Sequence, residues 1–248
     1  KPIFIDIRSD TLNLNETQLE RLITPKTKAI VPVHYAGVAC EMDAIMEIAD
    51  HNKIPVIEDN AHGLFGKYKE KYLGTFGTFA TQSFHETKNF VAGECGALVL
   101  NREDWIERAE ILREKGTNRS QFHRGHVDKY TWVDIGSSYV PSDLLAAVLL
   151  GQLEEIETIN NKRQSVADLY RQCLQPLADN GHFAMPIVPE HCTTNNHMFS
   201  LYCSSAVLRN RILKTLNKHN MQAVFHYIPL HNSPFAIEQG FNEQALPI

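Results

Sequence analysis

Two short segments of the sequence carry residue types that suit covalent chemistry on a carbonyl compound. An acid and a histidine, Asp59 and His62, directly follow the apolar run Ile54–Ile57. A lysine, Lys88, lies in the segment SFHETKN at 83–89, directly after another apolar run. An unprotonated lysine amine is a nucleophile toward carbonyl groups, and neighbouring acids and histidines can carry charge and protons during such reactions.

Each segment taken by itself also has an ordinary structural interpretation. Asp59 could cap a turn, His62 could be a common loop residue, and Lys88 could be a solvated surface lysine. The small residues that follow, within 92–97, would let the backbone pack close to a ligand. The local patterns leave both interpretations open, so the case depends on the elements that would bring the segments together.

The apolar patterning predicts an α/β fold that places these segments at one edge of a sheet. Strands are predicted at Pro2–Ile7, Lys28–His34, Ile54–Ile57, Phe79–Phe84 and Ala97–Leu100, with helices at 41–52 and Glu103–Glu114. The order strand, helix, strand over residues 28–57 is a βαβ unit, which implies a mostly parallel sheet. Ligands of such sheets bind beyond the carboxyl ends of the strands, where both chemical segments are expected.

The second half of the chain has a different character. A long helix is predicted at Ser142–Ala178, followed by a strand at His197–Cys203, a helix at Ser205–His219 and a strand at Met221–Tyr227. Residues 118–134 show no clean period and are predicted to form a long functional loop. We place a domain boundary near Pro141, with residues 1–140 in a large domain and 141–248 forming a bridging helix and a smaller α/β domain.

Composition argues against several classes of protein. The 248 residues carry a net charge of −5, so no basic surplus is present for nucleic acid. The apolar runs are shorter than the ~20 residues that a membrane-spanning helix needs. Five widely spaced cysteines favour reduced thiols and a cytoplasmic location. The twelve histidines show no zinc-binding spacing, so no metal site is expected.

In combination, the chemical segments resemble a known enzyme family. VIEDNAH at 56–62, SFHETKN at 83–89 and GECGALVL at 93–100 are similar to segments of the DegT/DnrJ/EryC1/StrS sugar aminotransferases. The resemblance runs over essentially the whole chain, from FIDI at Phe4 to FHYIPLH at Phe225. It implies a pyridoxal 5'-phosphate (PLP) dependent transferase of fold type I, similar to aspartate aminotransferase, with a mostly parallel sheet and a smaller C-terminal α/β domain.

The resemblance also implies roles for four residues around the cofactor. Lys88 matches the lysine that binds PLP covalently and later moves a proton, and Asp59 matches the acid that pairs with the pyridine nitrogen. His62 matches the position that lies beside the ring. Ser83 matches a hydroxyl donor to the cofactor phosphate.

The implied reaction moves an amino group from glutamate to C4 of a dTDP-4-keto-6-deoxyhexose, giving dTDP-4-amino-4,6-dideoxygalactose. That product belongs to lipopolysaccharide or enterobacterial common antigen biosynthesis. We expect a homodimer with shared active sites, and substrate contacts from Tyr227, His226, Arg119 and Asn118. In the alternative interpretation, these residues only close the small domain or carry solvated charges.

Two further functions remain open at this point. One is a sister aminotransferase that acts on another nucleotide sugar or at another position. The other is a non-catalytic binding or regulatory protein of the same fold, although the presence of both Lys88 and Asp59 argues against it.

The chain departs from the family pattern in two ways. The resemblance begins inside the family's large domain and stops before its last helix, so we expect a chain truncated at both ends. The family's phosphate-binding Ser/Thr pair and ring-stacking aromatic residue lie before that start. The segment GSSYV at 136–140 replaces a Gly-Tyr-Asn-x-Arg pattern that many members use across the dimer interface, so different partner contacts are expected.

Overall fold

The computed structural model of the chain describes residues 1–241 and 246. Its strands are β1 (Ile57–Asp59), β2 (Lys67–Tyr68), β3 (Lys71–Tyr72), β4 (Phe79–Ser83), β5 (Gly96–Leu100) and β6 (Cys192–Thr193). Its helices are α1 (Leu19–Leu22), α2 (Met42–Asn52), α3 (Ile106–Arg113), α4 (Arg119–His123), α5 (Asp143–Leu153), α6 (Ile156–Asp179), α7 (Ala206–Lys218) and α8 (Pro234–Glu238). The end of the predicted second domain, at Ile248, lies outside the described residues.

The central sheet has the order β1-β4-β5, with β1 and β4 parallel and β4 and β5 antiparallel. The segment around Ile30–Val33 runs parallel to β1 on its other side, through bridges from Ile30 to Val56 and from Val33 to Asp59. Helix α2 connects this segment to β1. The predicted parallel crossover through α2 is therefore present, although Lys28–His34 forms only these two bridges and not a regular strand. A small antiparallel sheet, β3-β2-β6, packs beside the central sheet.

Helix α2 forms because its apolar residues recur at helical spacing and face the sheet. Met42, Ile45 and Ala49 are fully buried in the main hydrophobic core, together with Val56 at the start of the β1 ladder. Burial of a side chain such as Met42 or Ile45 stabilises the fold by about 1.5–3 kcal/mol. The helix ends at Lys53, whose backbone is left-handed and whose N–H bonds to the carbonyl of Ala49.

A buried carboxylate, Glu58, holds the turn between the two sheets. It lies inside β1, and it accepts backbone N–H groups from Gly74 at 2.8 Å and from Phe76 and Gly77 at 2.7 Å. Its other partner is the buried ring of His34, at 2.9 Å. Burial alone would raise the pKa of Glu58, but the hydrogen bonds from His34 and the backbone outweigh it and lower that pKa.

Substituting Glu58 is expected to make the fold less stable and less sensitive to acid. Because the folded-state pKa of Glu58 is lowered, its stabilisation is present above the unfolded value of ~4.3 and is lost as pH falls below that value. Glu58→Gln should cost about 3 kcal/mol at neutral pH, since three buried donors and His34 lose a charged acceptor. Thermal unfolding from pH 7 to pH 3 measures both effects. A variant as stable as wild type at pH 7 would contradict this account.

The predicted helix Ser142–Ala178 is in fact two helices, α5 and α6, with a break at Glu154–Glu155. Ser142 caps α5 as expected, accepting the N–H of Leu145 at 3.4 Å. The break is invisible in the sequence because the apolar spacing across it is that of a continuous helix. Leu145, Leu149, Leu153, Ile156 and Ile159 all pack on the core beneath Phe84 and Phe90, on the loop that carries Lys88.

Three predicted strands are wrong. Pro2–Ile7 contributes only an isolated bridge from Ile7 to Leu14, and His197–Cys203 only one from Tyr202 to Ala184. Met221–Tyr227 has no strand pairing in the described part of the chain. Alternating apolar residues show that a segment suits a sheet, but a strand forms only where a neighbouring strand can hydrogen-bond to its backbone groups.

The predicted loop at 118–134 begins with the short helix α4. Across the described ranges, no helix is long and apolar enough to cross a membrane. The domain boundary near Pro141 stays a prediction.

Candidate active site

Three segments meet at the carboxyl ends of β1 and β4. Asp59 is the last residue of β1, and its Oδ1 accepts the N–H of Ala61 at 3.1 Å. Ser83 is the last residue of β4, and its Oγ accepts the N–H of His85 at 3.4 Å. Lys88 follows in the next loop, close enough for the charge of Asp59 to act on it. The parallel strands thus bring the sequence-predicted residues to one sheet edge, as expected.

Lys88 is partly buried, and burial lowers the pKa of its amine, while the charge of Asp59 acts in the opposite direction. Among the described residues, no hydrogen bond to Lys88 Nζ is formed. An amine in this setting is unprotonated more often than a surface lysine at neutral pH, which is the state that attacks a carbonyl group.

His62 lies between Lys88 and the loop that follows the Ile30–Val33 segment. Burial lowers the pKa of His62 to about 4, with further lowering by Lys88 and His226, and Asp59 opposes the shift. Its Nδ1 accepts the N–H of Ala36 at 3.3 Å. His62 is therefore neutral at neutral pH, and in the tautomer that this bond selects its proton is on Nε2.

The structure adds His197 and Asn89 to the site, two residues that the sequence analysis missed. The ring of His197 stacks on that of His62, with centroids 4.3 Å apart and planes at 25°. Its Nδ1 is 2.9 Å from Oδ1 of the buried Asn89, the residue directly after Lys88. Burial, and then the charges of His62 and Lys88, lower the pKa of His197 to about 3. The sequence signal available for Asn89 was its position directly after the candidate lysine.

His226 also lies at this site, with the ring of Tyr227 against it at 4.1 Å, and their substrate-binding role stays a prediction. The phenol of Tyr35 hydrogen-bonds to Nδ1 of His226, and the ring of His226 lies 6.0 Å from that of His62. Burial and then Lys88 lower the pKa of His226. Tyr227 is 73% exposed at the mouth of the site. Tyr35 is a further residue of the site that the sequence analysis missed, and burial raises the pKa of its phenol.

Asn118 and Arg119 are placed elsewhere, at the start of α4. Asn118 Oδ1 accepts the N–H of Thr131 at 2.7 Å. Arg119 pairs with Glu114 at 3.0 Å and lies over the ring of Tyr130. The contacts that the structure shows for both residues close their own loop, and none of them reaches the Lys88 segment in the described chain. Their proposed substrate role stays a prediction.

Within the described residues, no cluster of three or more histidine, cysteine or acidic side chains is arranged to hold a metal ion. The groups that do converge are a lysine amine, a carboxylate, neutral imidazoles and a hydroxyl. This set suits a flat heteroaromatic carbonyl compound that carries an anionic group.

Comparison with known proteins gives a consistent result over the full sequence. A profile described as the DegT/DnrJ/EryC1/StrS aminotransferase family matches residues 1–248. The uncharacterized protein MJ1066 of Methanocaldococcus jannaschii is 35% identical over 242 residues, covering 95% of this chain and 62% of that protein. The spore coat polysaccharide biosynthesis protein SpsC of Bacillus subtilis is 30% identical, covering 99% of this chain and 64% of SpsC.

A solved structure shows the same fold. Helicobacter pylori PseC, an aminotransferase involved in the biosynthesis of pseudoaminic acid, superposes with a TM-score of 0.88 at 27% identity. The match covers 100% of this chain and 64% of PseC. The chain therefore spans a little under two thirds of the length of the relatives it matches.

Proposed function

Because the chain belongs to the DegT/DnrJ/EryC1/StrS aminotransferase family, we propose that it transfers an amino group from glutamate to C4 of a dTDP-4-keto-6-deoxyhexose. The product would be dTDP-4-amino-4,6-dideoxygalactose. The observation that carries the proposal is the meeting of Lys88 and Asp59 at neighbouring strand ends, with the amine partly buried and unbonded within the described residues.

The cofactor of this family is PLP, and the residues at the site fit it. Asp59 offers a carboxylate for a protonated pyridine nitrogen, and Lys88 offers an amine for the aldehyde. Ser83 has a hydroxyl proton to donate to the phosphate, since its Oγ acts as acceptor toward His85. His62 presents a neutral ring beside these groups.

When bound, PLP supplies a carbonyl group for amine exchange and a ring that accepts electrons. The protein's own groups then control protons and charge. Burial lowers the pKa of Lys88, so its Nζ releases a proton more readily than a surface lysine does. Asp59 keeps a negative charge at the end of β1, and the surrounding burial limits the access of water.

The choice of a sugar substrate is supported by the relatives and by the mouth of the site. SpsC is described as a spore coat polysaccharide biosynthesis protein, and PseC as an aminotransferase involved in the biosynthesis of pseudoaminic acid. His226, Tyr227 and Tyr35 offer hydroxyl and imidazole groups of the kind that bind sugar hydroxyls. The finer choice of sugar rests on the sequence resemblance of segments 31–43, 113–122, 127–132, 134–139 and 223–231. The similarity to PseC also favours a second candidate, a sister enzyme with another keto-sugar.

The test is to assay the full-length protein with glutamate and a panel of nucleotide keto-sugars. We expect a yellow absorbance that borohydride bleaches, and formation of 2-oxoglutarate with a dTDP-4-keto-6-deoxyhexose. A colourless protein that does not take up added PLP would contradict the proposed enzyme class. Turnover restricted to another keto-sugar would replace the proposed substrate with that of the sister enzyme.

Variants at Tyr227, at the mouth of the site, and at Arg119, at the start of α4, are expected to affect substrate affinity and to leave the cofactor absorbance unchanged. Tyr227→Phe removes one hydroxyl and should raise the sugar-nucleotide KM roughly threefold to tenfold. Arg119→Ala removes a cation for diphosphate or carboxylate and should raise KM for one substrate by tenfold or more, about 1.4 kcal/mol. Tyr72→Phe, on β3, is the matched control. Unchanged kinetics for both substrates would show that Tyr227 and Arg119 are structural only.

We also propose a homodimer, because a group of apolar side chains stays exposed around α5. Trp132 is 77% exposed, Ile135 76%, Tyr139 70% and Leu144 81%. Exposed apolar patches of this kind mark protein interfaces, and a second copy would cover this one.

Light scattering on the full-length protein should give twice the chain mass. Leu144→Glu should shift it toward monomer, whereas Val207→Glu, equally exposed on α7, should not. An active monomer at assay concentration would contradict the dimer.

A further inference from the structure

Two buried asparagines connect the loop that carries Lys88 to the segment that carries His197. Asn89 Nδ2 donates to the carbonyl of Asn195 at 2.9 Å, and its Oδ1 is 2.9 Å from Nδ1 of His197. Asn195 in turn donates from Nδ2 to the carbonyls of His62 at 2.8 Å and Leu64 at 2.9 Å. The three segments around Lys88 are therefore joined by one hydrogen-bonded network.

The geometry at Asn89 requires a side-chain amide. One end faces a backbone carbonyl and must donate, and the other end faces His197 and can accept. An aspartate would place an oxygen against the carbonyl of Asn195. Because Oδ1 of Asn89 is an acceptor, His197 must carry its proton on Nδ1, which fixes the tautomer of that ring.

The segment that carries His197 is also held from two other sides. Arg163, on α6, donates to the carbonyls of Asn196 at 3.3 Å and His197 at 3.4 Å. On the opposite side, a Cβ at Gly37 would come within 2.0 Å of Asn195 Oδ1. His197 therefore has little freedom to tilt, and its ring presents one face to His62.

We propose that Asn89 is a positioning residue, which fixes the plane of the His62 ring beside Lys88 by holding His197 in its stacked orientation. The proposal rests on the proposed function, since it assigns His62 to the cofactor site. Among the described residues, the ring of His62 has one other hydrogen bond, a long one that it accepts from the N–H of Ala36 at 3.3 Å. The stack on His197 supplies the second constraint that a single bond does not.

Holding His62 neutral has a chemical consequence for Asp59. The groups that face His62 are Lys88, Asp59, His226, His197 and Tyr35. A protonated His62 would pair with the Asp59 carboxylate and compete with the pyridine nitrogen for its charge. Burial beneath His197 keeps the proton away, because a charged imidazole there would lose its hydration.

The experiment follows histidine ring signals by NMR in the full-length PLP-bound protein, as wild type, Asn89→Ala, Asn89→Asp and Asn101→Ala. Loss of one signal in His62→Gln identifies His62. Asn101 is the matched control, since its amide also holds two backbone carbonyls, those of Gly74 and Gly77. Its loss would cost stability without reaching the stacked pair.

In wild type, the pKa of His62 should lie well below its usual value, because the ring is buried beneath His197. Asn89→Ala should raise that value by about one unit or more, because His197 loses its acceptor and water reaches the stack. Asn89→Asp should raise the pKa of His197 by a similar amount, since a carboxylate then faces its Nδ1. Asn101→Ala should change neither. In both Asn89 variants kcat should fall more than the sugar KM changes.

An unshifted His62 titration in Asn89→Ala, or an unshifted His197 titration in Asn89→Asp, would overturn the inference. If those variants fail to fold, the wild-type nitrogen shifts decide it, because the inference requires the proton of His197 on Nδ1. The opposite tautomer of His197 would overturn it. A protein without aminotransferase activity that still shows the expected titrations would contradict the proposed function and leave this inference standing.

Discussion

Replacing Lys88 with alanine is expected to lower transamination by at least about 10⁴-fold. The variant loses the covalent bond to the cofactor and the amine that moves the proton, and proton transfer alone contributes 10²–10⁴-fold in typical enzymes. PLP should then bind only through its other contacts, so borohydride should no longer fix it to the protein. Rate measurement and mass spectrometry after borohydride treatment test both statements.

Lys88→Arg should not restore activity, because a guanidinium group stays protonated and cannot attack the aldehyde. The matched control is Lys214→Ala, on the exposed surface of α7, which should keep the wild-type rate. Normal turnover in Lys88→Ala would overturn the assignment of the covalent residue, and with it the proposed mechanism.

The placement of Asp59 and Lys88 was predictable because it depends on local patterns. The apolar runs before each residue are short and continuous, which is typical of strands buried on both faces. Helix α2 shows its apolar spacing in the sequence and connects two parallel neighbours. Since parallel strands end at the same edge, two independent strand predictions suffice to bring the acid and the lysine together.

His197 and Asn89 were not predictable in the same way, because their roles depend on contacts between distant parts of the chain. His197 is more than a hundred residues from Asn89. Its segment was predicted as a strand, yet it is held by side chains, including Arg163 on α6, rather than by a sheet partner. The spacing of apolar residues predicts which residues are buried and whether a segment is a helix or a strand. A network of polar side chains between loops has no such regular spacing in the sequence.

For Arg119, the sequence suggested a functional contact that the structure does not show. The sequence offers a cation near the candidate site, but its partners in the structure are Glu114 and Tyr130 of its own loop. The sequence does not distinguish an arginine that pairs with a nearby acid from one that binds a ligand, because an acid such as Glu114 a few residues away is common in either case. Only the kinetic test on Arg119→Ala separates the two.

Asp59→Asn is expected to slow the reaction at least about a hundredfold, or ~3 kcal/mol in barrier, while PLP still binds. The substitution is close to isosteric. An asparagine Oδ1 can keep the bond that Asp59 makes to the N–H of Ala61 at 3.1 Å, so the turn after β1 should be preserved. What is lost is the charge that keeps the pyridine nitrogen protonated and allows the ring to accept electrons.

The neighbouring groups make this a clean test of that charge. Asp59 raises the pKa of both Lys88 and His62, against the larger effect of burial. In Asp59→Asn both values should therefore fall further, which leaves Lys88 more often unprotonated and His62 still neutral. A slower rate then cannot come from a protonated lysine. Stopped-flow absorbance and kcat would be measured beside Asp50→Asn, an exposed control on α2. Near-full activity in Asp59→Asn would show that another residue manages the ring nitrogen.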